Sequence, residues 1–136
     1  MNADEVRDFI RTNHRAVLGT SRQDGGIQMS PILIVLDDSG EVLISTREPA
    51  MKVRNLRRKP YAYLCVLNEG FFGGWAQAEG PVEIVSLPEA MDGLIQYYRL
   101  ASGEHPDWDD YRAAMERDRR VLIRMRIERA GPTVQG

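Results

Sequence analysis

A chain of 136 residues has room for one domain and one core. Its 43% hydrophobic and 28% charged residues give the balance of a folded globular protein, which excludes a disordered chain and a bilayer-spanning one. A formal net charge of −2 excludes whole-molecule attraction to nucleic acid or anionic lipid, and the single Cys65 excludes an intrachain disulfide, a paired-cysteine redox motif and a multi-cysteine zinc site.

The amino terminus, MNADEVRDFI, lacks the apolar run of a signal peptide, and the longest apolar stretch, Pro31 to Leu36, is too short to cross a bilayer. The expected location is the cytoplasm. From Asp4 to Thr12, Val6, Phe9 and Ile10 recur at helical spacing behind Asn2 and Asp4, which suit a helix cap. Ala16 to Ser21 reads as a strand, and Asp24-Gly25-Gly26 supplies the positive φ angles of a hairpin turn. The next strand, Ile27 to Leu36, contains Pro31, which predicts a bulge or an edge at its middle. Asp37-Asp38-Ser39-Gly40 turns the chain into a third strand, Glu41 to Thr46, and the three should form a meander.

Pro49 suits a first helical turn, and Lys59-Pro60 marks the end of a helix of about three turns. Two longer strands, Tyr61 to Leu67 and Phe71 to Val85, follow, joined at Asn68-Glu69-Gly70 and with a bend at Gly80-Pro81. Ser86-Leu87-Pro88-Glu89 has capping-box spacing before a helical stripe of Met91, Leu94, Ile95 and Tyr98 that runs to about Leu100. Asp107 caps a further helix with Trp108, Tyr111 and Met115 on its inner face, and Val121 to Ile127 is the last strand. Hairpins joining neighbouring strands favour a mainly β fold, a small antiparallel barrel with peripheral helices, over a doubly wound one.

Self-contained catalytic machinery is missing from the sequence. His14 and His105 stand far apart without ligand spacing, and there is no GxGxxG, Walker loop or GxSxG elbow, so a bound cofactor has to supply the reactivity. The strongest local signal is Lys52-Val53-Arg54-Asn55-Leu56-Arg57-Arg58-Lys59, with five cations in eight residues. At 100° per residue Arg54, Arg57 and Arg58 share one face, and Lys52, Asn55 and Lys59 the adjoining one. Lys52, close to the helix start, is suited to a phosphate. A solvated basic face has the same spacing. Gln28 and Ser30 share one face of their strand, either against the polar edge of a flat heterocycle or towards solvent, and Ser45 and Thr46 carry the same ambiguity. Trp75, beside Gly73-Gly74, suits the wall of a ring system or an ordinary core, whereas Trp108 and Tyr111 read as core or subunit interface.

The run Arg47-Glu48-Pro49-Ala50-Met51-Lys52-Val53-Arg54-Asn55-Leu56-Arg57-Arg58 resembles the signature of the actinobacterial F420-dependent reductases of the split β-barrel fold, relatives of pyridoxamine-phosphate oxidase. The segments Tyr98-Arg99, Gly103-Glu104-His105, Asp107 to Arg112 and Asp118 to Leu122 resemble the carboxy-terminal part of the same group. The resemblance implies a six-stranded antiparallel split barrel and a homodimer with two cofactor grooves between subunits. Each groove would hold the deazaflavin F420, whose phosphate and polyglutamate tail meet basic residues. Lys52 would bind the phosphate, Asn55 and Arg58 would support it, Gln28, Ser30 and Ser45 would line the ring, and Trp75 would come from the partner chain. The sequence departs from the pattern at Ala50, where relatives carry an arginine, and in its short tail, Ala130 to Gly136, which implies a more open substrate pocket.

The implied activity is hydride transfer from reduced F420 to an organic acceptor that no residue identifies. An FMN enzyme or carrier would use the same groove and lysine. A store of deazaflavin, flavin or a haem-like ligand is the non-enzymatic alternative, and the acidic balance tells against an RNA-binding barrel.

Overall fold

The computed structural model describes residues 1–133. Helix α1 (Ala3–Thr12) starts with the capping box that its sequence provides, Asn2 accepting from the Glu5 N–H while the Glu5 side chain accepts from the Asn2 N–H. Strands β1 (Arg15–Ser21), β2 (Ile27–Leu33), β3 (Val35–Leu36) and β4 (Val42–Arg47) follow, then helix α2 (Met51–Arg58) and strands β5 (Tyr61–Leu67) and β6 (Trp75–Val85). Helices α3 (Met91–Ser102) and α4 (Trp108–Arg117) precede β7 (Arg120–Met125) and β8 (Arg129–Gly131). No helix among the described residues is long and apolar enough to cross a membrane.

All pairings are antiparallel, in the order β2-β1-β5-β6-β7-β4-β3, with β8 beside the first half of β6. The expected strand Ile27 to Leu36 is present in two pieces. It breaks at Ile34 rather than Pro31, because the Ile34 N–H donates to the His14 carbonyl at 2.8 Å while His14 Nδ1 lies 3.0 Å from the Ile34 carbonyl. β2 therefore pairs with β1, and β3 with β4. The six strands expected around the barrel become eight through this break and through β8, which occupies part of what reads in sequence as a tail. Residues 134–136 of that tail lie outside the described residues.

β6 belongs to both halves of the barrel. Up to Pro81 it pairs with β5, and from Val82 with β7, so the expected bend at Gly80-Pro81 is where one sheet hands over to the other. A Cβ at Gly80 would stand 1.7 Å from the Arg126 carbonyl oxygen, so this crossing requires glycine. The main core fills the barrel interior with Leu18, Ile44, Leu64, Val66, Ile123 and Met125. A second core, with Leu43, Leu94, Tyr111 and Leu122, joins α3 and α4 to the outer face of β3, β4 and β7.

Other local expectations are corrected. Pro49 precedes α2 instead of opening it. Ser86 does not cap α3, whose N-cap is Ala90 without a side-chain bond; Ser86 Oγ instead lies 3.3 Å from Arg57 Nη2. Residues 71–74 form the loop after β5 instead of strand. In the first hairpin only Gly25 takes a positive φ, 90°.

Candidate functional site

The site begins with the parity of one ladder. The Arg22 N–H donates to the Gly26 carbonyl at 2.7 Å, and the Ile34 N–H to His14, so the β1–β2 ladder is bracketed by bonds that make Ser21–Ile27 and Arg15–Leu33 non-hydrogen-bonded pairs. By alternation Gly19–Met29 and Val17–Pro31 are of the same kind. Residues 27, 29, 31 and 33 thus turn their backbone polar groups away from β1. Pro31 loses no ladder bond there, which is why the strand tolerates it. The Leu33 carbonyl on this edge accepts from the Tyr97 hydroxyl of α3 at 2.9 Å.

Beyond the two-residue pairing of β3 with β4, the Ser45–Arg47 stretch of β4 pairs, among the described residues, only with β7. The barrel is consequently split between β2 and the end of β4. The β2 border of the split offers the N–H groups of Ile27 and Met29 and the carbonyls of Ile27, Met29 and Pro31.

Gln28 and Ser30, both half-buried, alternate with this edge and share the face of Thr20, Leu18 and the barrel interior. Helix α2 packs over the same corner through Val53, Asn55 and Leu56. Asn55, only 2% exposed, donates from Nδ2 to Thr20 Oγ1 at 3.1 Å and lies 3.4 Å from Gln28 Oε1. It ties the helix to the hairpin. Arg58 Nη2 donates to the Ser21 carbonyl.

The α2 cations separate. Arg57 reaches back to both carboxylate oxygens of Glu48 at 2.9 Å, which removes it from the face it was expected to share with Arg54 and Arg58. Among the described residues Lys52, Arg54 and Arg58 pair with no carboxylate. Arg54 and Arg58 border a cavity of about 430 Å³ with Arg22, Asp24, Met51 and Asn55. Arg22 stands 3.1 Å from Asp24, whose carboxyl it holds below the usual range with help from the Gly26 N–H. Lys52 is half-buried one turn before Asn55, and burial lowers its ammonium from the ordinary lysine value. Among the described residues no side chain caps α2, and its first turn holds no acid, so the Met51 and Lys52 N–H groups stay open to an anion.

The fold thus gathers Gln28, Asn55 and Arg58 at one corner, with Ser30 further along the β2 face and Lys52 on the helix. Ser45 faces the α3–α4 side, sharing its strand face with Leu43, and the buried Thr46 has the opposite orientation. Trp75 stands on the outer face of the sheet, at the far end of the β5–β6 ladder from α2. Thr20 and Arg22 were missed in sequence, whereas the edge that Pro31 implied is present, with β2 at the end of the sheet order. Two-residue alternation back from the Asp24-Gly25 turn could have placed Thr20 opposite Gln28.

The element order and the split define a split β-barrel. The chain matches the pyridoxamine 5'-phosphate oxidase family over residues 3–133 and belongs to that family. A conserved hypothetical protein from Mycobacterium tuberculosis shares the fold at a TM-score of 0.77 and 23% identity, over 100% of this chain and 93% of that one. An F420 reductase superposes at 0.72 with 18% identity, covering 92% of this chain and 94% of the other. A heme binding protein from Mycobacterium smegmatis gives 0.68 and 17%, over 94% of this chain and 52% of its own.

Proposed function

We propose that the chain is an F420-dependent oxidoreductase, acting in the cytoplasm as a homodimer, that passes a hydride to a small organic acceptor. The observation that carries this reading is the charge at the α2 corner. Among the described residues Arg54 and Arg58 pair with no carboxylate around the 430 Å³ cavity, whose Asp24 is taken by Arg22, and Lys52 lies on the same helix. One phosphate would use only part of that charge, whereas a phosphate followed by a chain of carboxylates would use all of it.

The residues fit such a group. Lys52 and the open start of α2 would take the phosphate, and Arg54 and Arg58 the carboxylates. The Ile27 and Met29 backbone groups, with Gln28 and Ser30, would meet the polar edge of the ring. Asn55 would act by holding α2 against the hairpin, and Ser45 would border the split from β4. The reduced deazaflavin would supply the hydride; the protein needs to position and shelter it, which requires no dedicated nucleophile.

Support for two copies comes from the outer face of β2-β1-β5-β6. Ile27, Met29 and Leu33 are 44%, 70% and 41% exposed along one strand, next to Trp75 and Tyr63. Contiguous apolar surface of this kind marks an association site. Trp75 would then reach a cofactor only from the partner chain.

FMN suits the split and Lys52 equally well but leaves Arg54 and Arg58 unused. Titration of the purified protein with F420 and, separately, FMN tests the reading. Stoichiometric F420 binding with weaker FMN binding is expected; tight FMN with no measurable F420 affinity would overturn it. F420 binding without turnover of any acceptor would instead indicate a store.

A further inference from the structure

We propose that Thr20 is a positioning residue that locks the side-chain amide of Gln28, so that Gln28 offers its ligand the Nε2 donors and not the amide oxygen. The ligand must then present a hydrogen-bond acceptor at this point, a carbonyl oxygen or a ring nitrogen with a free lone pair. The inference rests on the reading above, in which a flat ring lies against β2, and specifies the polarity of one contact to it.

Thr20 is 1% exposed and Asn55 2%, so the polar groups of both need partners inside the fold. They find them in a closed triangle. Asn55 Nδ2 donates to Thr20 Oγ1 at 3.1 Å and to Gln28 Oε1 at 3.4 Å, and the Thr20 hydroxyl donates to the same Gln28 oxygen at 3.4 Å. Both lone pairs of Gln28 Oε1 are thereby engaged. Gln28 Nε2, which carries two N–H donors, has no partner among the described residues. Gln28 is itself half-buried, on the strand that borders the split.

A side-chain amide can turn over and exchange its oxygen with its nitrogen, and the same triangle closes if both amides do so. Charge decides between the two arrangements. Asn55 also borders the 430 Å³ cavity, where Arg22, Arg54 and Arg58 stand around the carboxylate of Asp24. An amide dipole aligns in such a field with its oxygen towards the cations. With Asn55 Oδ1 on the cavity side, Nδ2 is turned to Thr20. Thr20 accepts from it and has its own proton left for Gln28, so the order of donors runs from the helix to the strand. The basic corner thus sets the polarity of a contact made on the far side of Thr20. Flavin and deazaflavin rings share an edge of carbonyl, N–H and carbonyl. A donor at Gln28 suits one of those oxygens and leaves the ring N–H to a carbonyl of the β2 edge.

The sign of one substitution tests this directly. Gln28→Glu keeps the shape and the accepting oxygen but removes the donors, and at neutral pH it should weaken F420 by about ten- to a hundredfold with native circular dichroism. Thr20→Val removes only the hydroxyl and should weaken F420 by about three- to tenfold, and Thr20→Ser should restore the affinity. In proton–nitrogen NMR spectra the Gln28 side-chain amide signals, identified by their absence from Gln28→Glu, should exchange rapidly with solvent in the free protein and slowly once a ring is bound. Three results would each overturn the proposal: Gln28→Glu protein that binds as tightly as the unmodified chain, unchanged affinity in Thr20→Val, or amide protons already protected in the free protein. Each variant is also titrated with FMN, whose ring has the same edge. FMN binding without F420 binding overturns the cofactor reading, while the losses measured on FMN still decide the role of Thr20. If neither ring binds, both fall.

Discussion

Helices α2 and α4 are both short and densely charged, yet their charges serve different ends. In α4 the Asp107 side chain caps the first turn by accepting from the Asp110 N–H, Asp109 and Asp110 complement the positive helix end, and Arg117 closes the last turn. Its inner face is anchored by Tyr111, 6% exposed, whose hydroxyl donates to the Leu94 carbonyl at 2.7 Å. In α2 the N-cap is Ala50, the first turn is without acid, and Lys52, Arg54 and Arg58 are left unneutralised among the described residues. One helix satisfies itself. The other leaves Lys52, Arg54 and Arg58 without a carboxylate among the described residues, and that imbalance, more than raw charge density, is the physical ground on which it is proposed as a binding element.

The comparison makes three separable predictions. Tyr111→Ala should cost about 3–5 kcal/mol of stability in urea unfolding, as loss of a packed aromatic does, while any protein that remains folded keeps its cofactor affinity. If affinity fell in proportion, the two helices would not be independent. Lys52→Ala should leave unfolding nearly unchanged but weaken F420 by about 1.5–3 kcal/mol, roughly ten- to a hundredfold. Lys59→Ala removes the same charge from the far end of α2 and should do much less; indistinguishable titrations at low and high salt would show a diffuse field and no contact at Lys52. The smallest effect is the most diagnostic. Ala50→Asp gives α2 the cap and the acid that α4 already has, so stability should rise by about 0.5–1 kcal/mol while cofactor affinity falls. A rise in both would mean that the start of α2 faces no anion.

Much of the fold was legible because local chemistry and tertiary packing agree. The Asn2–Glu5 box, the Asp107 cap, the stripe of Trp108, Tyr111 and Met115 and the bend at Gly80-Pro81 each express a short-range rule. The break at Ile34 did not, since it depends on His14, 20 residues away, and Pro31 drew attention to an edge that tolerates it. Ser86 has the right spacing for a capping box but is drawn towards Arg57. The basic helix was visible as a charged run, but its division was not: only the position of Glu48 shows that Arg57 is neutralised while Arg54 and Arg58 meet no carboxylate among the described residues. Ser45 was grouped with Gln28 and Ser30 because the resemblance grouped them, and the alternation of β4 turns it to the other side of its strand.

Pro31 has a further consequence. A sheet border with free N–H and carbonyl groups is a template on which any extended peptide, including another molecule's strand, could zip itself. A protein that needs such a border uncovered, so that a small flat molecule has something to lie against, runs a risk of fibrous self-association. The pyrrolidine ring removes one donor from the middle of the template and leaves the carbonyls on either side of it available. An incoming strand needs an unbroken series of contacts and meets a gap, whereas a heterocycle that spans two or three residues does not. Selective deterrence of this kind disfavours strand addition at this border while leaving its remaining polar groups open to a ring.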